Sequence, residues 1–138
     1  NEVREVGFIY QDERRLIGCS PDGVIGNGRI EKGVEIKCPD AHTHVGYLLG
    51  GKLPREYIMQ VQGNMFVTGA KEWDWISYHP DMRHVLIPVR RNDQIMDALR
   101  DALEDFIGTM LSERRLLGGA STVKEALEGS LRMLGGAA

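Results

Sequence analysis

The sequence predicts an α/β fold in which a mixed central β-sheet is flanked by helices. The first observation is that short runs of β-branched and aromatic residues, bounded by turn residues, alternate with segments of helical periodicity. The second is their order of strands, helix, strands, helix, which is typical of helices packed around one mixed sheet. The 138 residues, 42% of them hydrophobic, suffice for one domain of the usual ~100–150 residues.

Two β-hairpins are predicted in the first third of the chain. Residues 6–10 form an apolar run followed by a polar turn, and residues 16–20 form the second run of the same hairpin. A further strand begins at residues 24–25, after a Pro-Asp-Gly turn. The Gly-Asn-Gly sequence of residues 26–28 turns it back into a strand over residues 29–37.

The middle of the chain is predicted to hold two helices and two more strands. Residues 41–49 are weakly helical, and a second helix runs from Pro54 to Thr68 with Gly69 as its stop. One face of the second helix carries an apolar set, Ile58, Val61 and Met65, and another carries Tyr57, Gln60 and Asn64. The strands are expected over residues 73–78 and 84–89.

A long helix is predicted from its cap at Asn92 to about residue 117. Its buried stripe is expected to comprise Ile95, Leu99, Leu103, Phe106, Met110 and Leu111. We therefore assign residues 1–117 to one core. Residues 118–138 are assigned to a Gly-rich linker followed by a short amphipathic helix.

Charge and cysteine content narrow the function classes. The net charge of −3 counts mildly against a nucleic-acid partner, and less against an enzyme whose acidic residues hold a metal. Cys19 and Cys38 are too few for a disulfide scaffold or a four-thiolate metal site, and we expect buried, reduced thiols.

No apolar run approaches the ~20 residues of a membrane span, and there is no leader, so we expect a cytoplasmic protein.

The candidate chemical site lies where two predicted strands adjoin. Side chains alternate along a strand, so Glu35 and Lys37 project to one side and Ile36 to the other, into the core. The hairpin brings Asp22 beside the strand of Glu35, so that both carboxylates can reach one cation. Mg²⁺ takes oxygen ligands, usually one or two carboxylates, and the carbonyl of Ile36 adds a third. Lys37 can then stabilise charge that develops on a scissile phosphate.

Spacing alone leaves other interpretations open. An Asp-Gly turn followed by an alternating Glu-x-Lys strand also occurs on many ordinary exposed sheets. His42 and His44 form an H-x-H pair that could bind zinc, but no further Cys or His is well placed. Trp73 and Trp75 alternate on one strand and are expected to pack in the core or at an interface.

Four motifs occur in an order that is specific to one family. They are Ser20-Pro21-Asp22-Gly23, Val34-Glu35-Ile36-Lys37-Cys38-Pro39, Tyr57-x-x-Gln60-x-Gln62-x-x-Met65-x-Val67-Thr68 and Trp75-x-Ser77-Tyr78-x-Pro80-x-Met82. The pattern resembles the phage lambda-exonuclease type of alkaline exonuclease, the YqaJ-like viral recombinase family. That family belongs to the restriction-endonuclease-like PD-(D/E)xK superfamily. The resemblance implies a restriction-endonuclease-like core and makes residues 1–117 a nuclease core.

The resemblance also implies catalytic roles. Asp22 and Glu35 correspond to the metal carboxylates, and Ile36 corresponds to the ligand that uses its backbone carbonyl. Lys37 corresponds to the catalytic lysine, and Gln60 to a glutamine on the helix behind the site. The implied cofactor is Mg²⁺, with Mn²⁺ as a substitute.

Substrate and partners follow from the same resemblance. The family digests linear double-stranded DNA from a free end, 5′→3′, and leaves 3′ single-stranded tails for recombination with a single-strand annealing protein. Ser20 corresponds to a position that holds the 5′ phosphate, and Tyr57 is a further DNA-binding candidate. Apart from the resemblance, Lys52 and Arg55 are basic DNA-binding candidates, with a plain solvated loop as the alternative for Lys52. Family members form homotrimeric rings, which would let this acidic chain point basic residues such as Arg83 inward. A phage or prophage gene product in the bacterial cytoplasm is implied.

One departure from the family and two alternatives remain. The family carries another metal-ligand glutamate on an upstream helix, whereas this sequence starts at Asn1, just before the first strand, so we expect that segment to be missing. The alternatives are a structure-specific endonuclease such as a junction resolvase, and a catalytically silent DNA-binding member of the fold. An iron–sulfur nuclease is disfavoured by the two cysteines.

Overall fold

A computed structural model of the chain describes residues 2–116. Its elements in chain order are β1 (Ile9–Tyr10), β2 (Gly18–Cys19), β3 (Gly23–Ile25), β4 (Lys32–Lys37), α1 (Ala41–Gly50), α2 (Arg55–Thr68), β5 (Glu72–Ser77), β6 (Val85–Arg90) and α3 (Asp93–Leu116). Every predicted strand and helix up to residue 116 is present, although the first hairpin is shorter than expected. The predicted linker and helix of residues 118–138 lie outside the described residues.

The central sheet is mixed, as predicted. Its four strands lie in the order β3-β4-β5-β6, with β4 and β5 parallel and the other pairs antiparallel. A parallel pair needs a crossover between its strands, and α1 and α2 form that crossover. The strands β1 and β2 form a separate two-stranded sheet.

The core lies on the face of the sheet that α1 and α2 cover. Trp73 and Trp75 of β5 are fully buried there, as predicted, against Val61 and Met65 of α2. Gly33 of β4 makes this packing possible, because a Cβ at that position would lie 2.2 Å from the ring of Trp73.

The predicted turn and stop residues act where the sequence placed them, and Asp40 adds a helix cap that was not predicted. Gly26 and Gly28 have φ of 141° and 83°, which allows the tight β3–β4 turn. Asp40 caps α1 by accepting a hydrogen bond from the backbone of Thr43, and this bond lowers the pKa of its carboxyl. Gly69 ends α2 in the left-handed conformation, with φ of 73°.

Five of the six residues predicted for the buried stripe of α3 are half-buried, namely Ile95, Leu99, Leu103, Met110 and Leu111. Phe106 is 65% exposed, whereas Met96 and Ile107 are buried. At 3.6 residues per turn, Met96, Leu103 and Ile107 lie within a narrow sector of the helix, and Phe106 falls outside it. Because α3 contacts α2 and no described element covers its other side, Met96 and Ile107 in this sector are buried, while most apolar residues around them are only half-buried. In the described part of the chain, no helix is long and apolar enough to cross a bilayer.

Candidate active site

The β3–β4 hairpin brings the two predicted carboxylates together. Gly23 pairs with Val34 in antiparallel register, so the preceding residue, Asp22, comes opposite Glu35. The Asp22 Oδ2 atom accepts a hydrogen bond from the backbone N–H of Ile36 over 2.6 Å. This bond holds the exposed Asp22 side chain against the strand that carries Glu35.

Glu35 is a buried carboxylate, only 3% exposed. Its Oε1 atom accepts hydrogen bonds from Lys37 Nζ at 2.6 Å and from Gln60 Nε2 at 2.7 Å. Its Oε2 atom accepts one from Asn64 Nδ2 at 3.2 Å. A charge removed from water in this way is costly unless it is paired and hydrogen-bonded, and these three donors supply that compensation.

The Lys37 ammonium is held from two sides. It contacts the Glu35 carboxylate, and it also lies 5.0 Å from the centroid of the Tyr57 ring, within cation–π range. Tyr57 in turn packs 5.4 Å from Trp75, measured between ring centroids. The neighbouring phenol of Tyr57, together with burial, raises the pKa of Tyr47 to about 12. The ring of Tyr57 therefore connects the lysine to the aromatic core.

Ile36 and Cys38 differ from expectation. Glu35 and Lys37 share a face as predicted, but that face is the covered one, so the Ile36 side chain points away from the core and is 44% exposed. The strand alternation was correct, and the assignment of its faces was wrong. Cys38 was expected to be buried and is exposed, because the strand ends at Lys37.

Cys19, in contrast, is buried beside the site as expected of a reduced thiol. Burial raises the pKa of this thiol to about 11, and the negative charge of Glu35 adds to the shift.

The DNA-binding candidates lie on the surface near these elements. Ser20 is exposed and follows β2, two residues before Asp22. Lys52 lies between α1 and α2, and Arg55 is the first residue of α2, the helix that also carries Tyr57 and Gln60. Lys52 and Arg55 are exposed, and no ion pair within residues 2–116 involves either of them.

Among residues 2–116, no further His, Cys, Asp or Glu joins the H-x-H pair in a possible metal site. His44 is fully buried, and its ring contacts Ser77 Oγ through Nδ1 at 2.7 Å and the Arg83 carbonyl through Nε2 at 3.0 Å. His42 is exposed. Both ring nitrogens of His44 are thus engaged in holding α1 to β5 and to the β5–β6 loop.

Sequence reasoning placed Asn64 on the right face of α2 but gave it no role in the site. It shares that face with Tyr57 and Gln60, and this shared face was the available signal. What the sequence did not show is that the face turns toward Glu35.

The donor set fits a hard divalent cation. Among residues 2–116, no three His, Cys, Asp or Glu side chains gather as they would at a fully protein-enclosed site. The site offers instead the two carboxylates of Asp22 and Glu35 and the backbone of Ile36 between them. Mg²⁺ is commonly bound in this way, through one or two carboxylates and with water and phosphate completing its octahedron.

The mixed sheet, its acidic hairpin and the helix behind it define a restriction-endonuclease-like fold. A crystal structure of an alkaline exonuclease (LHK-Exo) from Laribacter hongkongensis matches with a TM-score of 0.74 and 31% identity, over 85% of this chain and 61% of that one. The complex of LHK-Exo with dAMP matches with a TM-score of 0.74 and 30% identity, over 84% and 60% of the respective chains.

The family model of the YqaJ-like viral recombinase domain matches residues 1–71, just over half of the chain. The chain therefore belongs to the YqaJ-like viral recombinase family, as its motifs indicated. It spans about three fifths of the length of the alkaline exonuclease structures that it matches. A search of the curated proteins found no significant match.

Proposed function

We propose that this chain forms the metal-binding catalytic part of a Mg²⁺-dependent exonuclease that digests linear double-stranded DNA. The observation that carries the proposal is the pairing of Asp22 with Glu35 across the hairpin, next to a Lys37 ammonium 2.6 Å from the Glu35 carboxylate. Family membership and the likeness to an alkaline exonuclease support the same activity.

In this proposal Asp22, Glu35 and the Ile36 carbonyl hold the cation. When bound, Mg²⁺ supplies Lewis-acid polarisation of the scissile phosphate. The Lys37 ammonium, held by Glu35 and Tyr57, places a positive charge where negative charge develops on phosphorus. Gln60 donates to the same Glu35 Oε1 atom as Lys37, and so helps to hold the Glu35 carboxylate beside the Lys37 ammonium.

The first test is cleavage by single-residue variants of the full protein. Asp22→Ala and Glu35→Ala are expected to abolish digestion while duplex binding is retained, and Lys37→Ala to lower kcat at least ~10²-fold. Glu72→Ala is the matched control, since it removes an exposed carboxylate of the neighbouring β5. Full activity in either carboxylate variant, or a rise in KM alone for Lys37→Ala, would contradict the assigned roles.

The direction of digestion is tested on defined substrates. We propose 5′→3′ digestion from a free end, leaving 3′ tails for a single-strand annealing protein, with Ser20 among the contacts to a 5′ phosphate. End-labelled linear duplexes, with and without a 5′ phosphate, are compared with a covalently closed circle. Rapid nicking of the circle would favour the structure-specific endonuclease instead. Binding without cleavage of any substrate would favour the silent DNA-binding member.

A homotrimeric ring is the proposed assembly. The chain has a net charge of −3, yet a nuclease must hold a dense row of phosphates. A ring would resolve this conflict if it turned exposed basic residues such as Lys52, Arg55 and Arg83 inward. Light scattering of the full protein measures the assembly, and a stable monomer that digests long DNA processively would contradict the ring.

A further inference from the structure

The Oε2 atom of Glu35 has a protein partner to which the sequence motifs give no role. Asn64, one turn beyond Gln60 on α2, donates its side-chain amide to this oxygen over 3.2 Å. The residue is only 7% exposed, so water cannot readily take its place. We infer that Asn64 is a positioning residue, which orients the Glu35 carboxylate and thereby sets the affinity of the site for a divalent cation. The inference rests on the metal-binding role proposed for Glu35.

The distribution of donors over the carboxylate carries this inference. A carboxylate offers about four acceptor positions, two on each oxygen. Lys37 and Gln60 both donate to Oε1, at 2.6 and 2.7 Å, and fill its two positions. Among the described residues Oε2 accepts from Asn64 alone, which leaves one position open. A cation can take this position without displacing any protein donor.

Asn64 has two properties that suit it to this task. Its hydrogen bond to Oε2, together with the bonds to Oε1, fixes the rotation of the carboxylate plane. Its amide is also neutral, so it holds the oxygen without cancelling the charge that attracts the cation, as a second lysine would. When a partner that orients a metal ligand is lost, metal affinity commonly falls ~10–100-fold.

The test is a calorimetric titration of the full protein with Mn²⁺ in the absence of DNA. Asn64→Leu removes the donor and keeps most of the volume, and we expect its Kd for Mn²⁺ to rise ~10–100-fold. The Mn²⁺ concentration that half-activates cleavage should rise in parallel, while the KM for DNA stays unchanged. If Asn64→Leu does not fold, Asn64→Ala replaces it in the same titration.

Gln62 provides a matched control on the same helix. It is also a buried amide, 3% exposed, but it donates to the Arg90 carbonyl at 2.9 Å and accepts from the Asn92 backbone at 3.0 Å, away from Glu35. Gln62→Leu should lose stability in the same way as Asn64→Leu, yet bind Mn²⁺ like the unsubstituted protein.

Three results separate the possible failures. Unchanged Mn²⁺ affinity in the Asn64 variant, or an equal loss in Gln62→Leu, would overturn the inference and leave Asn64 a packing residue. Glu35→Gln tests the underlying proposal. If it leaves Mn²⁺ affinity unchanged, the metal site itself is wrong. If it weakens binding while the Asn64 variant does not, only the positioning role fails.

Discussion

His44 holds the end of β5 beside the candidate site, and its removal should destabilise the fold. Its buried ring lies between Ser77 Oγ and the Arg83 carbonyl. Because a carbonyl only accepts, Nε2 carries a proton, and in the neutral ring Nδ1 accepts from the Ser77 hydroxyl. Ser77 is the residue of β5 that pairs with Lys37. His44 therefore links α1 to the strand position next to the proposed catalytic lysine.

We expect His44→Ala to lower the free energy of unfolding by about 3–8 kcal/mol. The cavity left by a large buried side chain costs ~2–5 kcal/mol. The Ser77 hydroxyl is also fully buried, and loss of its acceptor adds ~1–3 kcal/mol. The carbonyl of the exposed Arg83 can bind water instead and adds little. Such a loss is a large share of the ~5–15 kcal/mol that stabilises a typical domain.

The measurement is urea denaturation followed by the fluorescence of Trp73 and Trp75, the only tryptophans in the sequence and both fully buried. His42→Ala is the matched control, since this exposed histidine should change stability by less than ~0.5 kcal/mol. A loss below ~1 kcal/mol in His44→Ala would refute the reasoning from burial and hydrogen bonding. If zinc stabilised the protein and His44→Ala removed that effect, the H-x-H metal interpretation would return.

Four further predictions concern single residues. Tyr57→Leu should lower kcat by ~2- to 5-fold, because it removes the ring that contacts the Lys37 ammonium. Tyr57→Phe keeps the ring and should keep the rate. An equal rise in KM in both variants would mark Tyr57 as a DNA contact only. Cys38 should react rapidly with a thiol reagent at pH 8, whereas the buried Cys19, with its pKa raised from 9.0 to about 11, reacts only on unfolding. The same shift means that Cys19 stabilises the fold fully below pH 9 and that this contribution is lost as the pH rises toward 11, which denaturation at stepwise pH will show. Gly33→Ala should lower the free energy of unfolding by ~1–3 kcal/mol and lower the Tm, because the added Cβ would overlap the buried Trp73 indole. An unchanged Tm would mean that the ring moves aside without an energetic cost.

The elements that the sequence predicted well are those whose signal is local. The Gly26 and Gly28 turn and the Gly69 stop each act within a few residues, and the predicted boundaries agree closely with the structure. The adjacency of Asp22 and Glu35 is predictable for the same reason, because one short hairpin sets their register.

The errors occur where burial depends on a neighbour that is distant in sequence. Alternation correctly separated Ile36 from Glu35, but only the packing of α1 and α2 decides which face of the sheet is covered. Phe106 satisfies the same helical apolar pattern as its half-buried neighbours on α3, yet it is 65% exposed. Cys38 is apolar enough for a core but lies just past the end of its strand.

The candidate site combines both kinds of signal, and this explains why Asn64 received no role. Asp22, Glu35 and Lys37 come from one hairpin, so their proximity follows from local register. Gln60 and Asn64 reach Glu35 only because the crossover from β4 to β5 packs α2 against the face of the sheet that carries Glu35. Gln60 was predicted through family resemblance and not through geometry. A residue that contacts the site through tertiary packing, and has no motif position to mark it, becomes visible only when the fold is known.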